Sequence, residues 1–237
     1  MTATAAAIVL ALIAPSAAAN SAVTPAPRLS LGWFVHYESI NHRARHGGIG
    51  LIYVGDSIVE HFDNQGTDVW AHYYAGRNAL NLGISGDRTE NVLWRLIHGN
   101  IDGIAPKLAI VMIGQNNGGH NTAKEIGNGV AAIVQQLRVK LPETKILVLG
   151  IFPRREKNSP ERAVLSAANE IASTLADGKT VYYMNINHLF ERPDGSIIQS
   201  LMYDFEHPTP LGHRVWAEAI EPTVSELMGD RPVAPMR

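Results

Sequence analysis

Short β-branched apolar runs alternate along the chain with longer stretches in which apolar residues recur at helical spacing. The runs Ile49–Val54, Ala79–Leu82, Leu108–Ile113, Lys145–Gly150 and Thr180–Met184 predict strands. Amphipathic patterns near residues 57–64, 89–98, 123–140, 160–176 and 211–227 predict helices between and after them. The order βαβαβαβαβα predicts a five-stranded parallel sheet covered on both faces, a three-layer α/β/α architecture. Punctuation agrees with these boundaries: Thr122 and Ser159 suit N-caps, Pro160 suits a first helical turn, and Pro142 and Gly178 suit helix ends. Ahead of the first strand, Trp33, Phe34, Tyr37 and Glu38 form an amphipathic stretch expected to pack on the sheet. No repeat or second domain is visible.

The ends of the chain read differently. Ala5 to Ala14 form an apolar run as long as the core of an export signal, and Ala17-Ala18-Ala19 resembles a cleavage site before Asn20. Residues 1–19 therefore read as a signal peptide of a secreted or periplasmic protein, with an uncleaved anchor as the alternative. At about ten residues the run is too short to span a bilayer, so stable membrane insertion after cleavage is not expected. Residues 20–30, rich in Pro, Ala and Ser, read as a linker, 31–228 as the single domain, and 229–237 as a flexible tail.

Composition narrows the chemistry. The 237 residues are 46% hydrophobic and 18% charged, which suits one globular domain of enzyme size. A formal charge of −2 leaves no basic excess for nucleic acid or an anionic lipid surface. With no cysteine, covalent and acid–base work falls to Ser, Thr, His and the carboxylates. His42 and His46 are spaced i, i+4 but lack the glutamate of a zinc helix, and read as a solvated helix face. Gly47-Gly48-Ile49-Gly50 precedes a strand, whereas a dinucleotide fingerprint follows one.

In parallel sheets ligands sit at the carboxyl ends of the strands, so the residues just beyond each strand carry the most information. Gly55-Asp56-Ser57 follows the first strand, Gly83-Ile84-Ser85-Gly86-Asp87 the second and Gly114-Gln115-Asn116-Asn117 the third; Asp204-Phe205-Glu206-His207 precedes the last helix. A serine at a strand-to-helix turn suits a nucleophile. Asp204 and His207, three apart, can meet as a base and the group that orients it. Backbone N–H groups of Ser57 and Gly86, with the Asn116 amide, would face a developing oxyanion. Each block alone is also an ordinary turn or helix cap. Their joint appearance in one order points to acyl transfer.

These four blocks resemble the SGNH (GDSL-type) hydrolase family of esterases. The stretches Ala79–Asp87, Val92–Leu96, Val148–Gly150 and Pro153-Arg154 are similar to the branch that holds the catalytic subunits of platelet-activating factor acetylhydrolase. The resemblance spans residues 50 to 225. It implies a flavodoxin-like sheet order and no metal or organic cofactor. It also implies Ser57 as nucleophile, His207 as base, Asp204 as its partner, and Ser57, Gly86 and Asn116 as the oxyanion hole; a homodimer is compatible with it. The family's third block usually reads Gly-Thr-Asn, and here Gln115 replaces the threonine.

Asp56, Ile58, Gln115 and Glu206, which flank these groups, are the candidates for lining the substrate pocket. Polar walls would serve a long acyl chain poorly, because a buried methylene gains about 0.8 kcal/mol only against an apolar lining. The expectation is a secreted serine esterase acting on a small-molecule or carbohydrate ester with a short acyl group. Competing readings are a carbohydrate O-acetylesterase, a lysophospholipase or thioesterase, and a catalytically silent glycan-binding module. Alcohol specificity is expected to reside in loops 63–78, 117–122, 153–159 and 191–203.

Overall fold

The computed structural model describes residues 20–237, so the expected leader at 1–19 lies outside the described residues. Five parallel strands, β1 (Leu51–Gly55), β2 (Ala79–Gly83), β3 (Leu108–Met112), β4 (Lys145–Leu149) and β5 (Val181–Met184), form one sheet in the order β2-β1-β3-β4-β5. The central strands β1 and β3 are buried at every position, as continuous apolar runs covered on both sides should be. Alternate side chains divide between two cores. Ile52, Val54, Ala109, Val111, Ile146 and Val148 face one, and Leu51, Tyr53, Leu108, Ile110, Leu147 and Leu149 the other.

Among the described residues seven α-helices cover the sheet: α1 (Leu31–Arg45), α2 (Ser57–Glu60), α3 (Thr67–Tyr73), α4 (Thr89–Ile97), α5 (Ala123–Lys140), α6 (Pro160–Ser173) and α7 (Pro210–Met228). The first core receives α1, α4 and α5, and the second receives α2, α3 and α7. Thr122 caps α5 in a capping box with Glu125, and Ser159 caps α6 with Pro160 in the first turn, both as expected.

Several boundaries differ from the sequence reading. The stretch holding Trp33 and Tyr37 is a 15-residue helix, with Trp33, Tyr37, Ile40 and Ala44 buried along one face. The expected loop 63–78 contains α3, while the expected helix 57–64 is a single α-turn continued by a 3-10 turn at His61–Asp63. Residues 20–30 do not hang free as a linker. Ala22 is buried with its carbonyl accepting from Thr89 Oγ1 at 2.8 Å, and Ala26 exchanges hydrogen bonds with Glu90 and Asn91. The expected tail is also held: Asp230 pairs with Arg77, and the Val233 N–H donates to Glu221 at 2.8 Å. Both segments are poor in periodic pattern, yet their backbone groups find partners on the domain surface.

Candidate active site

β1 ends at Gly55, and the chain turns at once into α2, whose N-cap is Asp56. The Asp56 carboxylate accepts from the Ile58 N–H at 3.0 Å, which sets Ser57 as the first helical residue. Both strand-end glycines make this turn feasible. A Cβ on Gly55 would lie 2.6 Å from the Met112 carbonyl, and one on Gly83 would lie 2.3 Å from the Glu60 backbone nitrogen.

From the opposite side, the loop before α7 brings the imidazole of His207 to Ser57. Ser57 Oγ lies 2.9 Å from His207 Nε2, and His207 Nδ1 lies 2.7 Å from Asp204 Oδ2. The other Asp204 oxygen accepts the backbone N–H groups of Glu206 and His207, while Phe205 adopts φ 63° to close the turn. Asp204 and His207 thus meet across a tight loop. Partial burial works to raise the Asp204 pKa, but the hydrogen bonds from His207 and Glu206 outweigh it and hold the carboxyl below its usual range.

The second and third blocks converge on the same serine turn. Gly86 takes φ +78°, and the Asn116 amide donates to the Asp87 carbonyl at 2.9 Å and to Asp56 Oδ2 at 3.4 Å. One asparagine therefore ties all three strand-end turns together. Among the described residues no group accepts from the N–H of Ser57 or Gly86, whereas Ile84 and Asp87 in the same loop are paired. Gly86 and Asn116 open into a cavity of about 330 Å³ whose other walls are Arg28, Arg88, Asn91 and His120.

The pocket candidates separate under this geometry. Ile58 is one residue past Ser57, so the helical rotation of about 100° carries it into the second core, 1% exposed, away from the cavity. Asp56 is 1% exposed and serves as the cap, with burial pushing its pKa up to about 7 against the Ile58 hydrogen bond. Gln115 is 2% exposed and equally walled off. Glu206 stays near the rim, paired with Arg154 at 3.1 Å, and Arg154 also donates to the Gln115 carbonyl at 3.3 Å.

Residues that sequence reasoning missed also stand here. The His61 ring packs against His207 with centroids 4.7 Å apart and the planes tilted by 32°. Its spacing of four from Ser57 was the available signal, since i and i+4 share a helix face. Glu60 accepts from both the N–H and the hydroxyl of Ser85, and Arg28 donates to the Ser85 carbonyl. No sequence signal marked Arg28.

A parallel sheet carrying a hydroxyl, an imidazole and a carboxylate in line at its carboxyl edge defines a hydrolase of the SGNH class. The model of the GDSL-like lipase/acylhydrolase family matches residues 53–215, and the chain belongs to that family. It is an ester-hydrolysing enzyme. Platelet-activating factor acetylhydrolase IB subunit alpha2 of Rattus norvegicus is 36% identical over 183 residues, covering 77% of this chain and 79% of that protein. Subunit alpha1 of Bos taurus is 31% identical over 214 residues, covering 88% and 91%. Among solved structures, a GDSL-like lipase from Bacteroides thetaiotaomicron superposes with a TM-score of 0.64 at 15% identity, over 81% of this chain and 98% of that one. An acetylxylan esterase from Geobacillus stearothermophilus gives 0.60 at 16% identity, over 80% and 98%.

Proposed function

We propose that the protein hydrolyses short-chain acyl esters, acetyl esters foremost, through an acyl-Ser57 intermediate. The observation that carries this reading is the unbroken line from Ser57 Oγ to His207 Nε2 at 2.9 Å and from His207 Nδ1 to Asp204 at 2.7 Å. His207 takes the Ser57 proton as the oxygen attacks the ester carbonyl, and Asp204 holds the ring with its Nδ1–H turned away from the serine. The oxyanion is received by the N–H groups of Ser57 and Gly86, joined by the Asn116 amide as it releases its long 3.4 Å contact with Asp56 Oδ2. Collapse expels the alcohol, which takes the proton from His207. Water activated by the same imidazole then releases the acid and restores the serine.

The cavity beside Gly86 and Asn116 is otherwise lined by two arginines, an asparagine and a histidine, so a long acyl chain laid there would gain little. The acetylhydrolase names of the relatives point the same way. Export rests on the leader-like residues 1–19. The test is turnover of p-nitrophenyl acetate, butyrate and octanoate by the wild type and by Ser57→Ala. Activity should fall from acetate to octanoate, and Ser57→Ala should lose at least about 10,000-fold in kcat while keeping its circular dichroism spectrum. Turnover that survives the substitution would remove Ser57 from the reaction.

A further inference from the structure

Two charged side chains hold Ser85, whose carbonyl shares a peptide unit with the Gly86 N–H. On the upstream side, the Ser85 N–H and hydroxyl both donate to the Glu60 carboxylate, which His36 approaches at 3.3 Å. Burial works to raise the Glu60 pKa, yet these contacts outweigh it and hold the group at about 2. On the downstream side, Arg28 Nη1 donates to the Ser85 carbonyl. Its guanidinium covers Gly86 so closely that a Cβ there would lie 2.7 Å from Nη1 and 3.2 Å from both Cζ and Nη2. The Asp87 carboxylate is 3.9 Å from Arg28 but is already engaged by Arg95 at 2.8 Å and by the Trp33 indole at 2.7 Å.

The Ser85 C=O and the Gly86 N–H belong to one peptide unit. A cation bound to the oxygen draws electron density through the C–N bond and leaves the N–H more positive, and hydrogen bonds in series strengthen one another in this way. Charge-assisted bonds do so with about twice the strength of neutral ones. That N–H has no acceptor among the described residues, and Gly86 lines the cavity it shares with Asn116.

We infer that Arg28 is a positioning residue for ester hydrolysis, polarising and fixing the Ser85–Gly86 peptide so that the Gly86 N–H becomes a stronger oxyanion donor. The inference rests on the oxyanion role proposed above. It gives residues 20–30 a purpose: the segment is anchored on Thr89, Glu90 and Asn91 so that its arginine reaches the loop after β2.

The experiment compares wild type, Ser57→Ala, Arg28→Gln and Arg28→Lys on the neutral substrate p-nitrophenyl acetate. It also measures inhibition by benzeneboronic acid, whose tetrahedral serine adduct places an oxygen where the oxyanion would sit. Weakening one donor without deleting it should lower kcat about 10-fold in Arg28→Gln, with KM unchanged within twofold. Boronate affinity should drop by a similar factor, Arg28→Lys should recover part of both losses, and thermal midpoints should match. Three results would overturn the inference: a kcat for Arg28→Gln within twofold of wild type, a raised KM at unchanged kcat, which would make the guanidinium a substrate contact, or a kcat loss with unaltered boronate affinity. Active Ser57→Ala would instead defeat the underlying site assignment, so the two failures are distinguishable.

Discussion

Three imidazoles of very different character crowd the serine. His207 is open to Ser57, His61 packs against it at a tilt, and His213 is fully buried beside Phe62 and Trp216 with Nδ1 3.0 Å from the Thr209 carbonyl. Burial drives the His213 pKa down to about 4, opposed by the Thr209 carbonyl and reinforced by His61 and His207. The folded value lies below the unfolded value of 6.5, so the unfolded chain binds the extra proton and stability is lost as pH falls from 6.5 towards 4. The loss amounts to about 3 kcal/mol, or roughly 5–10 °C in midpoint for a domain of this size. Asp56 acts in the opposite sense: with its folded pKa raised to about 7, its contribution is present below 3.8 and lost as pH rises through 7. Thermal melts of wild type and His213→Phe between pH 7 and 4.5 separate the two: the opposed contributions nearly cancel in the wild type, and the variant's midpoint should rise relative to wild type as pH falls. At this scale Ser57, Asp204, His207, Gly86 and Asn116, which the structure brings to one place, were legible as candidates because each stands in a short block with a chemical reason for its residue types. Ile58 and Gln115 were misread because adjacency in sequence is not adjacency in a pocket. A helix turns the next side chain aside, and a buried 3-10 turn hides Gln115.

Elements position these residues through close backbone approach. The single turn of α2 rests directly on the end of β2, where a Cβ on Gly83 would lie 2.3 Å from the Glu60 nitrogen and 2.8 Å from the Asp56 carbonyl. Gly83→Ala should therefore push α2 away from the sheet and carry Ser57 with it. An ångström of displacement in a reacting group costs about 100-fold, so kcat should fall by that order while the far-UV spectrum stays unchanged. A kcat within threefold of wild type would show that the contact yields by other means. Strand positions were read to within two residues, because in a fully covered parallel sheet the apolar runs coincide with the strands. α1 was anticipated only as an amphipathic stretch without bounds, because polar residues surround its narrow buried stripe, and α3 escaped notice because it is only seven residues long, within a stretch rich in turn-forming residues.

The molecule as a whole is closed by a buried ion cluster far from any motif. Arg77, just after α3, donates to both oxygens of Glu221 on α7 at 2.6 and 2.7 Å and to both oxygens of Asp230 beyond it at 2.9 Å. Glu221 is 4% exposed, so Arg77→Met would strand a buried carboxylate and cost about 3–5 kcal/mol, measured by urea denaturation. Adding Glu221→Leu should restore most of that loss, because a buried ion pair is worth little more than an apolar pair of similar volume. The amino-acid sequence by itself determined the layered α/β architecture and the esterase family, and placed the candidate catalytic residues in short blocks, since periodicity and strand-end motifs are local properties. Tertiary structure alone decided which side chains meet them. Arg28 on Gly86, His61 on His207 and Arg77 under Glu221 join segments 58, 146 and 144 positions apart in the chain. Contacts of that kind follow from how helices and strands pack in space, which no local spacing of residues encodes.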